Sequence, residues 1–138
     1  MKPIVISCLL LFLAGAANGV MDALQFHYAQ TPFDPDDQFW NPKISWENKW
    51  AKDEQGELQR PLRPRFFGAS TFLVFLTDAW HLFQMIMFTA FHAAIIVGLS
   101  SCKRIGKGWR NVASWIGIYL LLHTIQSVGF HIIYTWAW

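Results

Sequence analysis

Seven ionisable side chains stand within or beside long apolar runs: Asp22, His27, Asp78, His81, His92, His123 and His131. They include all five histidines of the chain. An ionisable group at the centre of a membrane helix costs at least about 2.5 kcal/mol. Such a group therefore turns inward, pairs, or serves a ligand. Three imidazoles with carboxylates ligate Zn or Fe at about 2.0–2.2 Å. A Zn ion with an open position lowers the pKa of bound water to about 7 and so supports hydrolysis. Two histidines on facing helices at one height suit b-type haem. Chained Asp and His can also relay protons.

Spacing sharpens this set. At about 100° per helical residue, Thr71, Thr77, Asp78, His81, Gln84, Thr89 and His92 fall within an arc of roughly 140°. On the next apolar run, Tyr119, His123, Gln126, Ser127, His131 and Tyr134 cover a similar arc of about 140°. If these two runs form an antiparallel hairpin around the basic stretch near 105, His81 lies at the depth of His131, and His92 at that of His123. Asp22 and His27 reach the same end as Asp78 and His81. The expected metal ligands are His27, His81, His131 and Asp78, with Asp78 or Asp22 as the catalytic carboxylate. His92 and His123 form a second, deeper pair, the expected haem ligands. Cofactor motifs do not narrow the choice further: no HExxH, CxxC or Gly-rich phosphate loop is present. The bland alternative is a set of hydrogen bonds that holds helices together.

Three elements must position these residues. Of 138 residues, 54% are hydrophobic and only 14% charged. A soluble domain carries about 25% charge. A disordered chain is excluded, because it needs low hydrophobicity and high charge. A nucleic-acid binder is disfavoured by a net charge of only +2. Two cysteines, Cys8 and Cys102, do not make a disulfide scaffold. Each of the apolar runs 3–24, 68–100 and 112–136 meets the roughly 20 residues that a bilayer core requires. The expected fold is an all-α integral membrane protein: three transmembrane helices in one membrane domain. A Trp- and Pro-rich segment, 25–67, separates the first two helices. All six prolines precede residue 65.

Charge sets the expected orientation. Lys2 precedes the first run, and Lys103, Arg104, Lys107 and Arg110 crowd the turn 101–111. By the positive-inside rule both lie in the cytoplasm. The amino terminus is then inside, and residues 25–67 and the carboxyl terminus outside, in a bacterial inner (plasma) membrane. Trp136 and Trp138 suit the outer interface. A competing reading takes residues 1–17 as a cleaved signal peptide, since Lys2, an apolar core and small residues near Gly15 fit one. Within 25–67, Trp46 and Trp50 are four apart and suit an interfacial helix; the alternative for this aromatic segment is a lid over a site or a docking surface for a partner. Asp34, Asp36 and Asp37 lack the spacing of a calcium loop and read as a turn. Arg60, Arg63 and Arg65 bring positive charge near lipid headgroups.

The expected function is a small polytopic membrane protein with an outer-leaflet His/Asp metal site capable of hydrolysis. One alternative is a non-catalytic accessory or structural subunit of a membrane complex. Another is a b-haem electron-transfer anchor subunit. Expected partners are membrane lipid and either further copies of the chain or other membrane subunits. Ala90, Ala93, Ala94 and Gly98 are candidates for close helix packing.

Overall fold

Pro3 opens the first helix from the position where a missing N–H costs nothing, and Lys2 before it is extended. In the computed structural model, which describes residues 2–100 and 109–136, helix α1 then runs through Pro3–His27. Three further helices follow: a single turn α2 at Pro42–Ser45, then α3 at Ala79–Ser100 and α4 at Trp109–Trp136. Helices α1, α3 and α4 are each long and apolar enough to cross a membrane. The chain is thus an all-helical integral membrane protein with three spans. The expected basic turn, with Cys102, Lys103, Arg104 and Lys107, lies outside the described residues, as does Trp138.

Helix α1 occupies the centre. Its small residues let two other backbones approach on different sides. Ser7, Ala14, Gly15, Ala17, Gly19 and Ala23 are all buried. Toward α4, a Cβ on Gly15 would collide with the carbonyl of Gln126, and a Cβ on Gly19 would lie 2.7 Å from that of Phe130. Gly129 of α4 fits as closely against the carbonyl of Phe12. These contacts run in the same direction along both helices, so α1 and α4 are parallel. Toward α3, the Ser7 hydroxyl donates to the Ala94 carbonyl at 3.1 Å. Ala90 and Ala94 are buried, and Gly98 passes close to Ser7. Helix α3 runs antiparallel to α1. Among the described residues, α3 and α4 form no extended packing with each other. The hairpin expected of the second and third spans is therefore replaced by two helices flanking a third.

The second apolar run is not helical from its start. Gly68 takes φ +83, and residues 69–78 form turns, including a 3₁₀ turn at Val74–Leu76. Helix α3 begins only at Ala79. Asp78 sets that boundary: its Oδ1 accepts the backbone N–H of His81 at 2.9 Å, the bond of an N-cap. Thr71 and Thr77 consequently lie outside the helix.

The connecting segment folds through local carboxylate and amide bonds. Asp34 accepts from the Asp36 N–H, and Asp37 from those of Phe39 and Trp40. Asn41 Oδ1 accepts from Lys43 N–H and starts α2. Trp46–Lys49 is a 3₁₀ turn rather than the amphipathic helix that the Trp spacing suggests. Residues 49–65 then make an exposed, irregular hairpin, with Arg65 N–H bonded to Lys49 O at 2.9 Å and Asp53 N–H to Glu57 O at 2.9 Å. Gly56 supplies the positive φ at its tip. Three contacts dock the segment onto α3. The Phe39 carbonyl accepts from Ala79 N–H at 3.0 Å. Asn48 bridges the carbonyls of Gln38 and Thr77. Trp40 packs against Phe83 at 6.0 Å between centroids.

Candidate functional site

The docked segment and the first turn of α3 enclose an open pocket of about 170 Å³. Asp78, Trp80 and His81 form the α3 wall, Pro42, Ser45 and Trp46 form the opposite wall, and Gln25 of α1 joins them. Each contribution has a local cause. Asp78 is at the helix cap, so His81 three residues on lies directly over it. Ser45 and Trp46 are carried in by α2 and the 3₁₀ turn after it.

Asp78 and His81 form a tight dyad. His81 Nδ1 lies 2.7 Å from Asp78 Oδ2 and 2.9 Å from Oδ1. Thr77 Oγ1 donates to the same Oδ2 at 3.1 Å. Asp78 is only 2% exposed, whereas the His81 side chain is 25% exposed. The carboxylate thus accepts a backbone N–H and an imidazole, and shares the single proton of the Thr77 hydroxyl with the Val74 carbonyl, 2.7 Å from that hydroxyl. With Nδ1 held, Nε2 is the ring nitrogen that remains for other chemistry. Trp80 meets the His81 ring edge to face at 5.1 Å and restricts its rotation.

The other expected site residues go elsewhere. His27, the last residue of α1, places Nε2 2.7 Å from the Tyr134 hydroxyl of α4. Phe130 stacks on Tyr134 at 5.2 Å, completing an aromatic cluster between the first and third spans. Asp22 lies one turn along α1 from Gln25, half-buried, its carboxylate without a hydrogen bond among the described residues. His92, His123 and His131 are exposed on the outsides of α3 and α4. His92 stacks on Phe88, His123 on Tyr119, and His131 meets Phe130 edge on. Neither a hydrogen bond nor a ring contact links His81 to His131, or His92 to His123. The reason is azimuthal: α1 lies between the helices that carry them.

Among the described residues, no three of His, Cys, Asp and Glu gather as a metal site would require. The metal set of His27, His81, His131 and Asp78 is therefore not assembled, and the haem pair His92 and His123 is not brought face to face. What is assembled is a carboxylate–imidazole pair beside a small cavity.

The sequence did not single out Ser45, Trp80 and Gln25 as site residues, nor Asn48 as the clamp that holds their walls together. Their convergence depends on how the connecting segment folds back, which no periodicity encodes. The one available signal was the density of Asn, Ser and Trp in Asn41–Trp50, too rich in hydrogen-bonding residues for a plain spacer. No protein-family model matches the chain, and no curated protein or solved structure shows significant similarity to it.

Proposed function

We propose that this small polytopic membrane protein performs proton-accepting chemistry on a polar group delivered at the outer membrane boundary. His81 is the general base and Asp78 its orienting partner. The supporting observation is the 2.7 Å contact between Asp78 Oδ2 and His81 Nδ1 beside the pocket. A carboxylate on Nδ1 fixes the tautomer in which Nδ1 carries the proton. It also stabilises the imidazolium formed when Nε2 takes a second one. A helix cap needs only the bond to the His81 backbone; the ring contact is additional and is what a base requires. Hydrolysis or group transfer is the reaction class that such a base serves. Metal ligation is not part of the proposal.

Diethyl pyrocarbonate tests it, because that reagent acylates an unprotonated, accessible imidazole nitrogen. In the full-length protein in detergent, His81 should be carbethoxylated at Nε2, and Asp78→Asn should slow the reaction several-fold by removing the carboxylate partner. An inert His81, or a rate indifferent to Asp78→Asn, would contradict the proposal.

A second reading is favoured by a separate observation. His92, His123 and His131 expose ionisable rings on helices that the chain does not cover. Facing lipid, such groups are costly; facing a neighbouring helix, they hydrogen-bond. The second reading makes the chain a subunit of a larger membrane assembly, formed by further copies or by other membrane subunits. The two readings are compatible, since the pocket and these rings lie on different surfaces.

A further inference from the structure

Ser45 is the polar group that the dyad does not explain. It is 2% exposed and contributes to the pocket wall. Its hydroxyl has no hydrogen-bond partner among the described residues. A buried hydroxyl normally finds a partner, and an unpaired one marks a strained or functional position. Its backbone, by contrast, is firmly held: Ser45 N–H donates to Asn41 O at 2.8 Å. The wall that carries it is tied to the His81 wall through Phe39–Ala79 and Asn48–Thr77, both at 3.0 Å. Serine, imidazole and carboxylate thus share one cavity. A donor is present too. In the first turn of α3, Ala79 N–H reaches Phe39 O and His81 N–H reaches Asp78, while Trp80 N–H has no acceptor among the described residues. A free N–H at the start of a 22-residue helix carries partial positive charge and suits a developing oxyanion.

We infer that Ser45 is a nucleophile served by the His81–Asp78 dyad, and that its substrate is a carboxylic ester lying at the membrane boundary. This rests on the general-base reading above and adds the bond that is made. Ser45 Oγ attacks the ester carbonyl carbon while its proton passes to His81 Nε2. The oxyanion is met by Trp80 N–H. As the carbonyl re-forms, the C–O bond to the alcohol breaks, and His81 returns the proton to the leaving alkoxide. Water then attacks the acyl-serine, giving one proton to His81. The acyl–Oγ bond breaks, the acid leaves, and that proton restores the Ser45 hydroxyl. Ester and water are consumed; alcohol and acid are released. The Trp46 and Trp80 indoles supply apolar walls for the non-reacting part of the ester.

An alkyl fluorophosphonate tests this on the full-length protein in lipid nanodiscs. The serine oxygen displaces fluoride and forms a stable P–O bond, read by intact mass and peptide mapping. The expected result is one adduct, on Ser45. It should be absent in Ser45→Ala and at least tenfold slower to form in His81→Gln. Mapping of the wild-type adduct decides the case even if a variant fails to fold. No adduct, or an adduct on another residue, overturns the assignment of Ser45. If His81 still reacts with diethyl pyrocarbonate in that sample, only the nucleophile is lost and the base reading stands. If His81 is inert as well, both fall.

Discussion

Asp78 has two roles, and two substitutions separate them. As an N-cap it stabilises the start of α3; as a carboxylate it holds the His81 ring. Asparagine caps about as well as aspartate, whereas alanine forfeits about 0.5–2 kcal/mol. Asp78→Asn should thus leave thermal stability in detergent nearly unchanged while altering His81. Asp78→Ala should lower stability by about 0.5–2 kcal/mol through loss of the cap. Equal losses of stability in both variants would mean that the charge, not the cap, holds the helix end. At this scale the sequence was informative where contacts are local. The spacing of Asp78 and His81 is three residues, and helix geometry alone brings them together. It was uninformative for Ser45, whose approach depends on Asn41, Asn48 and the Phe39 carbonyl acting together over a stretch without regular periodicity.

At the scale of elements, the close passage of α1 and α4 depends on glycine. Gly15 and Gly19 are four apart on one face of α1, the small-residue pattern by which membrane helices approach closely. Gly129 answers from α4. Gly129→Ala would drive a Cβ into the Phe12 carbonyl. Neither backbone can yield without separating the helices, and forced overpacking costs about 1–3 kcal/mol. The variant should unfold at lower temperature, and the His27–Tyr134 bond should weaken as the helix ends part. Gly117→Ala is the control, because a Cβ there meets nothing within 4 Å. If both variants unfold alike, the glycine contact is not what seats α4. The apolar runs announced three spans by length alone. They did not announce where α3 begins, since the residues from Gly68 to Leu76 are as apolar as a helix yet form turns. Nor did the matched depths of the histidines reveal that α1 lies between the other two. Equal depth says nothing about azimuth around a shared axis. The Gly15–Gly19 spacing was the readable sign that α1 is the packing centre.

Across the whole molecule, burial is uneven. Helix α1 is lined with buried residues, while α3 and α4 leave most of their surface uncovered. That surface includes His92, His123 and His131. A chain of this shape in lipid should associate. Native mass spectrometry from nanodiscs should show more than one subunit, and His92→Leu with His123→Leu should shift the population toward the single chain. A monomer in the unaltered protein would rule out assembly from copies of the chain and leave the pocket untouched. The connecting segment adds a polar arm that carries Arg60, Arg63 and Arg65, all exposed and without an ion pair among the described residues. Its docked portion, from Phe39 to Asn48, turns a helix end into a pocket. That division of labour, with spans as scaffold and loop as wall, explains why the spans were legible and the site was only half so.

The most direct measurement is the tautomer of His81, by nitrogen-15 NMR of imidazole-labelled full-length protein in nanodiscs. In its neutral form the His81 ring should carry its proton on Nδ1, hydrogen-bonded to Asp78, with Nε2 bare; Asp78→Ala should abolish that preference. A neutral ring protonated on Nε2, or a spectrum that Asp78→Ala does not change, would contradict the general-base reading.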